Sequence, residues 1–215
     1  MKNRVCKAVL TIGIPASLGS LLMSISQIVV NSQMASFGDM AVAGIGVAMK
    51  VTMITGMICI GFGQGVQPLL GFCVGARLWE RFKKIMRFSL VFSFALSTVM
   101  TVICYLFTNQ IVSVFLTDSV AFDYAVEFTQ ILLTTSFLFG VFYVLSNALQ
   151  AMGAASAALI INLSRQGIIY IPAVFLLKYL IGVSGLAWAQ PVADLLSTIL
   201  VIFLYRKTVK HMEKS

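Results

Sequence analysis

The chain has 215 residues, 60% of them hydrophobic and 10% charged, with a mean hydropathy of +0.99 and a formal net charge of +8. Soluble domains carry roughly 25% charged residues, so this composition specifies an integral membrane protein. Transmembrane β-barrels are excluded as well, because their strands alternate apolar and polar residues over about ten positions and no segment here does so.

Uncharged runs cover residues 8–38, 51–76, 88–117 and 128–164, and a fifth stretch, 166–205, is interrupted by Lys178 and Asp194. Against a requirement of about 20 apolar residues per span, these runs hold six helices, roughly 8–36, 41–76, 82–108, 122–150, 154–178 and 183–206. The expected fold is all-α, a single polytopic six-helix unit over residues 1–215.

The first helix is too long for a signal-peptide core of roughly 7–15 residues and lacks an A-x-A-like cleavage site, so it is expected to remain in the protein. It carries Gln27 and Asn31 on an otherwise apolar background.

The second helix contains GFGQGVQPLLGFCVGAR, with Gly61, Gly63, Gly65, Gly71, Gly75 and Pro68 inside an uncharged run. Gly61 and Gly65, and again Gly71 and Gly75, stand four apart, as in the small faces that let helices approach closely in lipid. A second reading adds Gln64, Gln67 and Pro68. Proline cannot donate to the carbonyl of Gln64, and helices broken at membrane depth line cavities or substrate sites. Both readings stay open, one for each face. A nucleotide loop is the weakest option, since GFGQGV is not G-x-G-x-x-G and no strand precedes it.

The fourth helix carries Asn147 and Gln150, and the fifth carries Asn162, Arg165 and Gln166. Gly182, Ser184 and Gly185 offer the turn into the sixth. Such uncharged polar residues either line a cavity or bond across helix interfaces for about 1 kcal/mol. Trp79, Tyr105, Tyr124, Tyr179 and Tyr205 lie near expected span ends, where interfacial anchors belong. The eleven methionines suit an adaptable apolar cavity and equally a routine core.

The charges are distributed by loop. Lys2, Arg4 and Lys7 precede the first helix, Arg77, Arg81, Lys83, Lys84 and Arg87 surround the second junction, and Arg206, Lys207, Lys210 and Lys214 follow the sixth helix. Asp39, Asp118, Asp123 and Glu127 occupy the alternate loops. By the positive-inside rule both termini are cytoplasmic, which an even number of spans satisfies. The same placement speaks against a nucleic-acid partner. Cys6, Cys59, Cys73 and Cys104 show no C-x-x-C spacing and read as small apolar fillers. His211 lies in the basic tail, and no metal-binding or nucleophile set stands out, so neither a metal site nor an enzyme is expected.

Lys50, Arg165 and Asp194 fall within expected spans, where a lipid-facing charge costs at least about 2.5 kcal/mol. Arg165 lies about 16 Å from the start of the fifth helix, and Asp194 lies at similar depth in its antiparallel neighbour. The two are expected to meet, directly or through Gln166 or water. Asp194 could instead cap a helix that begins at Pro191. Lys50 either snorkels outward or lines a cavity.

The order GIPASLGSLLMSISQIVVN, FGDMAVAGIGVAMK, GFGQGVQPLLGFCVGAR, NALQAMG, RQGIIYIP and GVSGLAWAQPVADLLS resembles the MATE (multidrug and toxic compound extrusion) transporters over essentially the whole chain. The match is to the second of that family's two six-helix lobes. The resemblance implies a multi-pass protein of the inner cell membrane, exporting small amphipathic or cationic compounds in exchange for Na⁺ or H⁺ through a cavity between lobes. It also implies a second six-helix lobe, from a separate chain or from a homodimer. Two acids carried by one branch of the family correspond to Met23 and roughly to Val141, neither of which can bind a cation electrostatically. Candidate pathway residues are therefore Asp194, Arg165, Gln166, Lys50, Gln64, Gln67, Pro68, Asn31, Gln27, Asn147 and Gln150. A lipid-linked oligosaccharide flippase of the related superfamily, which would need a strongly cationic groove, and a non-transporting fragment are the alternatives.

Overall fold

Helices account for nearly all of residues 21–212, the part of the chain that the computed structural model describes, and no strand occurs among them. Helix α1 covers 21–35. Residues 8–20 of the expected first helix, with Pro15, and the basic residues Lys2, Arg4, Lys7 and Lys214 lie outside the described residues. So does Cys6.

Helix α2, Asp39–Gly75, has 37 residues and runs through Pro68 without a break. At 1.5 Å per residue it is about 55 Å long. A broken helix at Pro68 is thus not what forms. Pro68 and Gln64 both lie on the exposed face, so neither the pyrrolidine ring nor the freed carbonyl has to fit against a packed neighbour.

The glycine pairs also face away from the packed side. A Cβ at Gly61, Gly65 or Gly75 would meet nothing within 4 Å, and one at Gly71 would only graze the Ala151 carbonyl at 4.0 Å. The close approach is made at Gly63, where a Cβ would lie 2.7 Å from Asn147 Nδ2 and 3.2 Å from the Tyr143 carbonyl oxygen. Helical spacing explains the difference: Gly63, Val66, Leu70 and Cys73 form the buried face, and residues two positions from Gly63 point to the opposite side.

Helix α3, Trp79–Leu106, buries Ser89, Ser93 and Ser97 along one face. These small residues allow α6 to come so close that Gly140 lies against the Ser93 backbone carbonyl. A short α4, Thr108–Phe115, follows; the uncharged run 88–117 gave no signal for a separate helix there. Asp118 caps α5, Ser119–Leu133, accepting from the N–H groups of Val120 at 3.0 Å and Ala121 at 3.1 Å.

The expected helix 122–150 is instead two pieces, α5 and α6, Phe139–Ala151, joined by a 3₁₀ turn at Ser136–Leu138 and bent by 41°. The break contains neither proline nor glycine. Hydroxyl groups supply donors to the carbonyls around it: Thr134 to Ile131 (2.6 Å), Ser136 to Leu132 (3.0 Å) and Ser97 of α3 to Phe137 (2.6 Å). Side chains that insert into the hydrogen-bond ladder are a recognised cause of sharp kinks.

The fifth span likewise changes pitch. Helix α7, Ala155–Leu163, passes through a π-helical turn at Ser164–Ile168 into α8, Tyr170–Ile181. Pro172 has no N–H for the Ile168 carbonyl, and a π turn just before it absorbs the misfit. Gly182, at φ 75°, ends α8, and Gly185 packs onto the Leu177 carbonyl to make a tight hairpin with α9, Val183–Met212. Helix α9 runs through Pro191, so Asp194 sits in its interior and does not cap a helix start.

Helix α2, helix α3, the α7–α8 pair and α9 are each long and apolar enough to cross a membrane, and the α5–α6 pair, bent by 41°, is either a fifth, broken span or a re-entrant loop. The apolar core has two main halves. One joins Val30 and Met34 of α1 to Ile45, Phe128, Val174 and Leu186, and the other joins Leu70, Phe82, Leu149, Ile161 and Val201.

Candidate functional site

Arg165 is the second residue of the π turn. There the Arg165 Nε donates to Asp194 Oδ1 at 2.7 Å, with both side chains buried. Two buried charges are tolerated in a low-dielectric interior when they are paired and further hydrogen-bonded. Gln190, one turn before Asp194, donates to the same oxygen at 3.0 Å, and Arg165 Nη1 donates to the Tyr143 hydroxyl of α6 at 3.0 Å.

The rest of the guanidinium is enclosed by aromatic rings. Its carbon lies 4.6 Å from the centroid of Phe142, 5.1 Å from Phe139 and 5.4 Å from Tyr143. Cation–π attraction of this kind is strongest when water is excluded. Asp194 Oδ2 and the neighbouring Ser197 Oγ are buried without a hydrogen-bond partner. The site therefore has one carboxylate oxygen committed to two donors and the other uncommitted.

The sequence reading joined Arg165 to Asp194, and the structure brings them into direct contact. Gln166 does not bridge them; its backbone carbonyl accepts from Ser26 of α1, and Gly167 packs under Leu22. Tyr143, Phe139, Phe142 and Gln190 were not singled out. Gln190 stands four residues before Asp194, a spacing that puts both on one helix face; the three aromatics gave no signal beyond ordinary core composition.

The remaining candidates divide by exposure. Asn147 is buried, donates within its own helix to the Tyr143 carbonyl at 2.8 Å, and sits on Gly63. Gln67 is half-buried on the flank of α2. Gln27 and Asn31 are exposed one turn apart on α1, and Gln150 is exposed at the end of α6. Lys50 is exposed, its ammonium 6.0 Å from the ring of Phe115.

On α2, Lys50, Ile54, Met57, Gly61, Gln64, Gly65, Pro68 and Phe72 are all exposed and recur at three- and four-residue steps. They form one unpacked stripe along most of the helix. Gln64 and the carbonyl that Pro68 leaves free lie at its centre. A membrane helix exposing apolar residues alone would face lipid; one exposing an amide, an unpaired carbonyl acceptor and glycines offers polar contacts to whatever it faces.

The architecture and the sequence agree in what they resemble. The chain is 27% identical over 198 residues to the multidrug export protein MepA of Staphylococcus saprophyticus, and 29% identical over 202 residues to that of Staphylococcus aureus strain NCTC 8325. Each match covers 91% of this chain and 44% of the relative, so the chain spans less than half the length of these proteins. Its fold matches a solved mutant of the Vibrio cholerae MATE transporter VcmN with a TM-score of 0.90 at 19% identity, over 98% of this chain and 48% of the other. A MATE protein solved in complex with MaL6 gives a TM-score of 0.91 at 19% identity, over 99% and 48%. The MatE family model matches residues 15–176, most of the chain, and the chain belongs to this family of multi-pass membrane transporters.

Proposed function

We propose that this chain is one six-helix lobe of a Na⁺- or H⁺-coupled antiporter that exports small amphipathic or cationic compounds across the inner cell membrane, with both termini cytoplasmic. The exposed polar stripe of α2 carries this reading. An organic cation needs acceptors in an otherwise apolar wall, and the Gln64 carbonyl, together with the amides of Gln64, Gln27 and Asn31, supplies them without a formal negative charge. Apolar residues on the same stripe, Met57 and Phe72 among them, suit the hydrophobic part of such a compound.

Coverage of 44% of the export proteins it resembles supports a second six-helix lobe facing this stripe, either another copy of this chain or a separately encoded one. Lobes related by an axis along the membrane normal can be built from identical chains in parallel. Transport would then proceed by rocking of the lobes around a central cavity, with ion binding biasing the outward and inward states. Asp194 is the acid buried within the described spans. A proton or Na⁺ at its uncommitted Oδ2 would compete with Arg165 for the carboxylate, and so would alter the contact between α9 and α6.

The test is ethidium accumulation in a pump-deficient bacterium expressing the chain, with Asp194→Asn and a collapsed ion gradient as controls. Gradient-dependent efflux that Asp194→Asn abolishes is the expected result for a self-associating lobe. Unchanged accumulation with the chain present in the membrane rules out the homodimer and leaves a separate lobe. Efflux that ignores the gradient overturns ion coupling. The flippase alternative is disfavoured because Arg165 is buried and paired, leaving Lys50 as the cation on the α2 stripe.

A further inference from the structure

The end of the bundle where α2 meets α3 is also the end where α9 finishes, and both helices carry exposed bases there. The first two turns of α3 direct Trp79, Phe82, Ile85 and Met86 into the bundle and leave Arg81, Lys84 and Arg87 exposed. The last two turns of α9 continue beyond the expected apolar span. They do so because Tyr205, Val209 and Met212 join the same apolar cluster as Trp79 and Met152, while Arg206, Lys207 and Lys210 remain exposed. Met152, at the end of α6, is buried in the apolar cluster that Trp79 of α3 and Met212 of α9 also join. Among the described residues of these turns Glu80 is the acid.

Each bank passes directly into exposed aromatic surface one turn deeper. Phe88, one turn beyond Lys84 on α3, is 68% exposed, and Phe203, one turn before Arg206 on α9, is 64% exposed. A soluble polyanion would engage the bases alone. A phospholipid uses both, with its phosphate at the bases and its acyl chains on the rings.

We propose that these two banks form a rigid binding surface for anionic phospholipid headgroups, held in place by the Trp79–Met152–Met212 cluster and not by a flexible basic tail. The surface does not depend on the antiporter reading and is tested separately from it.

Trp79 and Trp188 are the two tryptophans of the chain, and Trp188 lies in the first half of α9, toward the opposite end. The full chain is reconstituted in mixed phosphatidylglycerol and phosphatidylcholine vesicles, in versions with one or the other lipid brominated, and quenching is read from Trp188→Phe and from Trp79→Phe. The expected result is a preference for phosphatidylglycerol of several-fold at Trp79 and near unity at Trp188. Combining Arg81→Gln, Lys84→Gln, Lys207→Gln and Lys210→Gln is expected to reduce the Trp79 preference to near unity. Should that variant fail to fold, salt provides the second arm, because about 0.5 M NaCl screens exposed charges beyond a few ångströms and should collapse the preference in the unmodified chain. Equal preference at both tryptophans, or a Trp79 preference that survives the substitutions or the salt, overturns the proposal. Loss of the preference with inorganic phosphate but not with NaCl of equal ionic strength also overturns it, in favour of a site for soluble phosphate.

Discussion

Helix α2 and the bent α5–α6 span treat polar backbone in opposite ways. Between residues 61 and 75, α2 contains five glycines and a proline and is still one uninterrupted helix. The α5–α6 span has no proline and bends by 41°. What separates them is the supply of hydroxyl donors. Thr134, Ser136 and Ser97 serve three carbonyls at the α5–α6 break, so the break is resolved inside the bundle. In α2 the single acceptor freed by Pro68 is placed on the exposed stripe, so it is left for something outside the described chain. The bent pair thus braces the bundle, and α2 leaves its polar stripe unpacked among the described residues.

The largest effect is expected where the brace is tied to the rest of the bundle. Arg165 links α9, through Asp194, to α6, through Tyr143. Removing one member of a buried pair leaves an uncompensated charge and costs roughly 3–5 kcal/mol. Arg165→Ala and Asp194→Ala should each lower the thermal unfolding midpoint of the purified chain strongly. The double variant Arg165→Met with Asp194→Leu should recover most of the loss, because an apolar pair of similar volume leaves no orphaned charge. A double variant as unstable as either single one would show that the site holds the lobe by some means other than this pair.

Next in size is the contrast within α2 itself. Gly63→Ala pushes a methyl into Asn147 and the Tyr143 backbone, and overpacking of this kind costs about 1–3 kcal/mol. Gly61→Ala and Gly65→Ala meet nothing within 4 Å and should be neutral or stabilising by up to about 1 kcal/mol through helix propensity. Unfolding midpoints of the three variants in one detergent decide the matter, and equal losses at all three positions would mean that the outer face is packed after all. A smaller loss, about 1 kcal/mol, is expected from Ser97→Ala, which removes one hydroxyl donor from the α5–α6 break.

These contrasts also mark what the sequence made legible. The all-helical character and the meeting of Arg165 with Asp194 follow from run length, charge depth and antiparallel geometry, all of which are local or one-dimensional quantities. The spacing Gly61–Gly65 and Gly71–Gly75 says that residues share a face but not which neighbour that face meets, and among the described residues it meets almost nothing. Gly63, which makes the contact, has no glycine at four residues: Cys59 and Gln67 flank it. The α5–α6 break was invisible for a related reason. Thr134, Thr135 and Ser136 are ordinary in a membrane helix, and whether their hydroxyls bend it depends on Ser97, which is supplied by another helix.

The smallest expected effect on stability falls at Gln64. Its side chain is exposed, so Gln64→Leu should change the unfolding midpoint by an amount corresponding to within about 0.5 kcal/mol, as surface substitutions generally do. Its effect on surroundings should be larger. If the α2 stripe faces water in a cavity, Gln64→Cys and Gly61→Cys, placed in a chain whose own cysteines have been replaced, will react with a membrane-impermeant maleimide. Phe88→Cys, on the exposed apolar surface of α3, will not. Labelling at all three positions would mean that solvent reaches lipid-facing surface and that the probe does not discriminate. Labelling at none would place the α2 stripe against lipid or a tightly packed partner. The division between a bracing span and a presenting helix would then have to be drawn from α1, where Gln27 and Asn31 make the only comparable exposed amide pair one turn apart among the described residues of that helix.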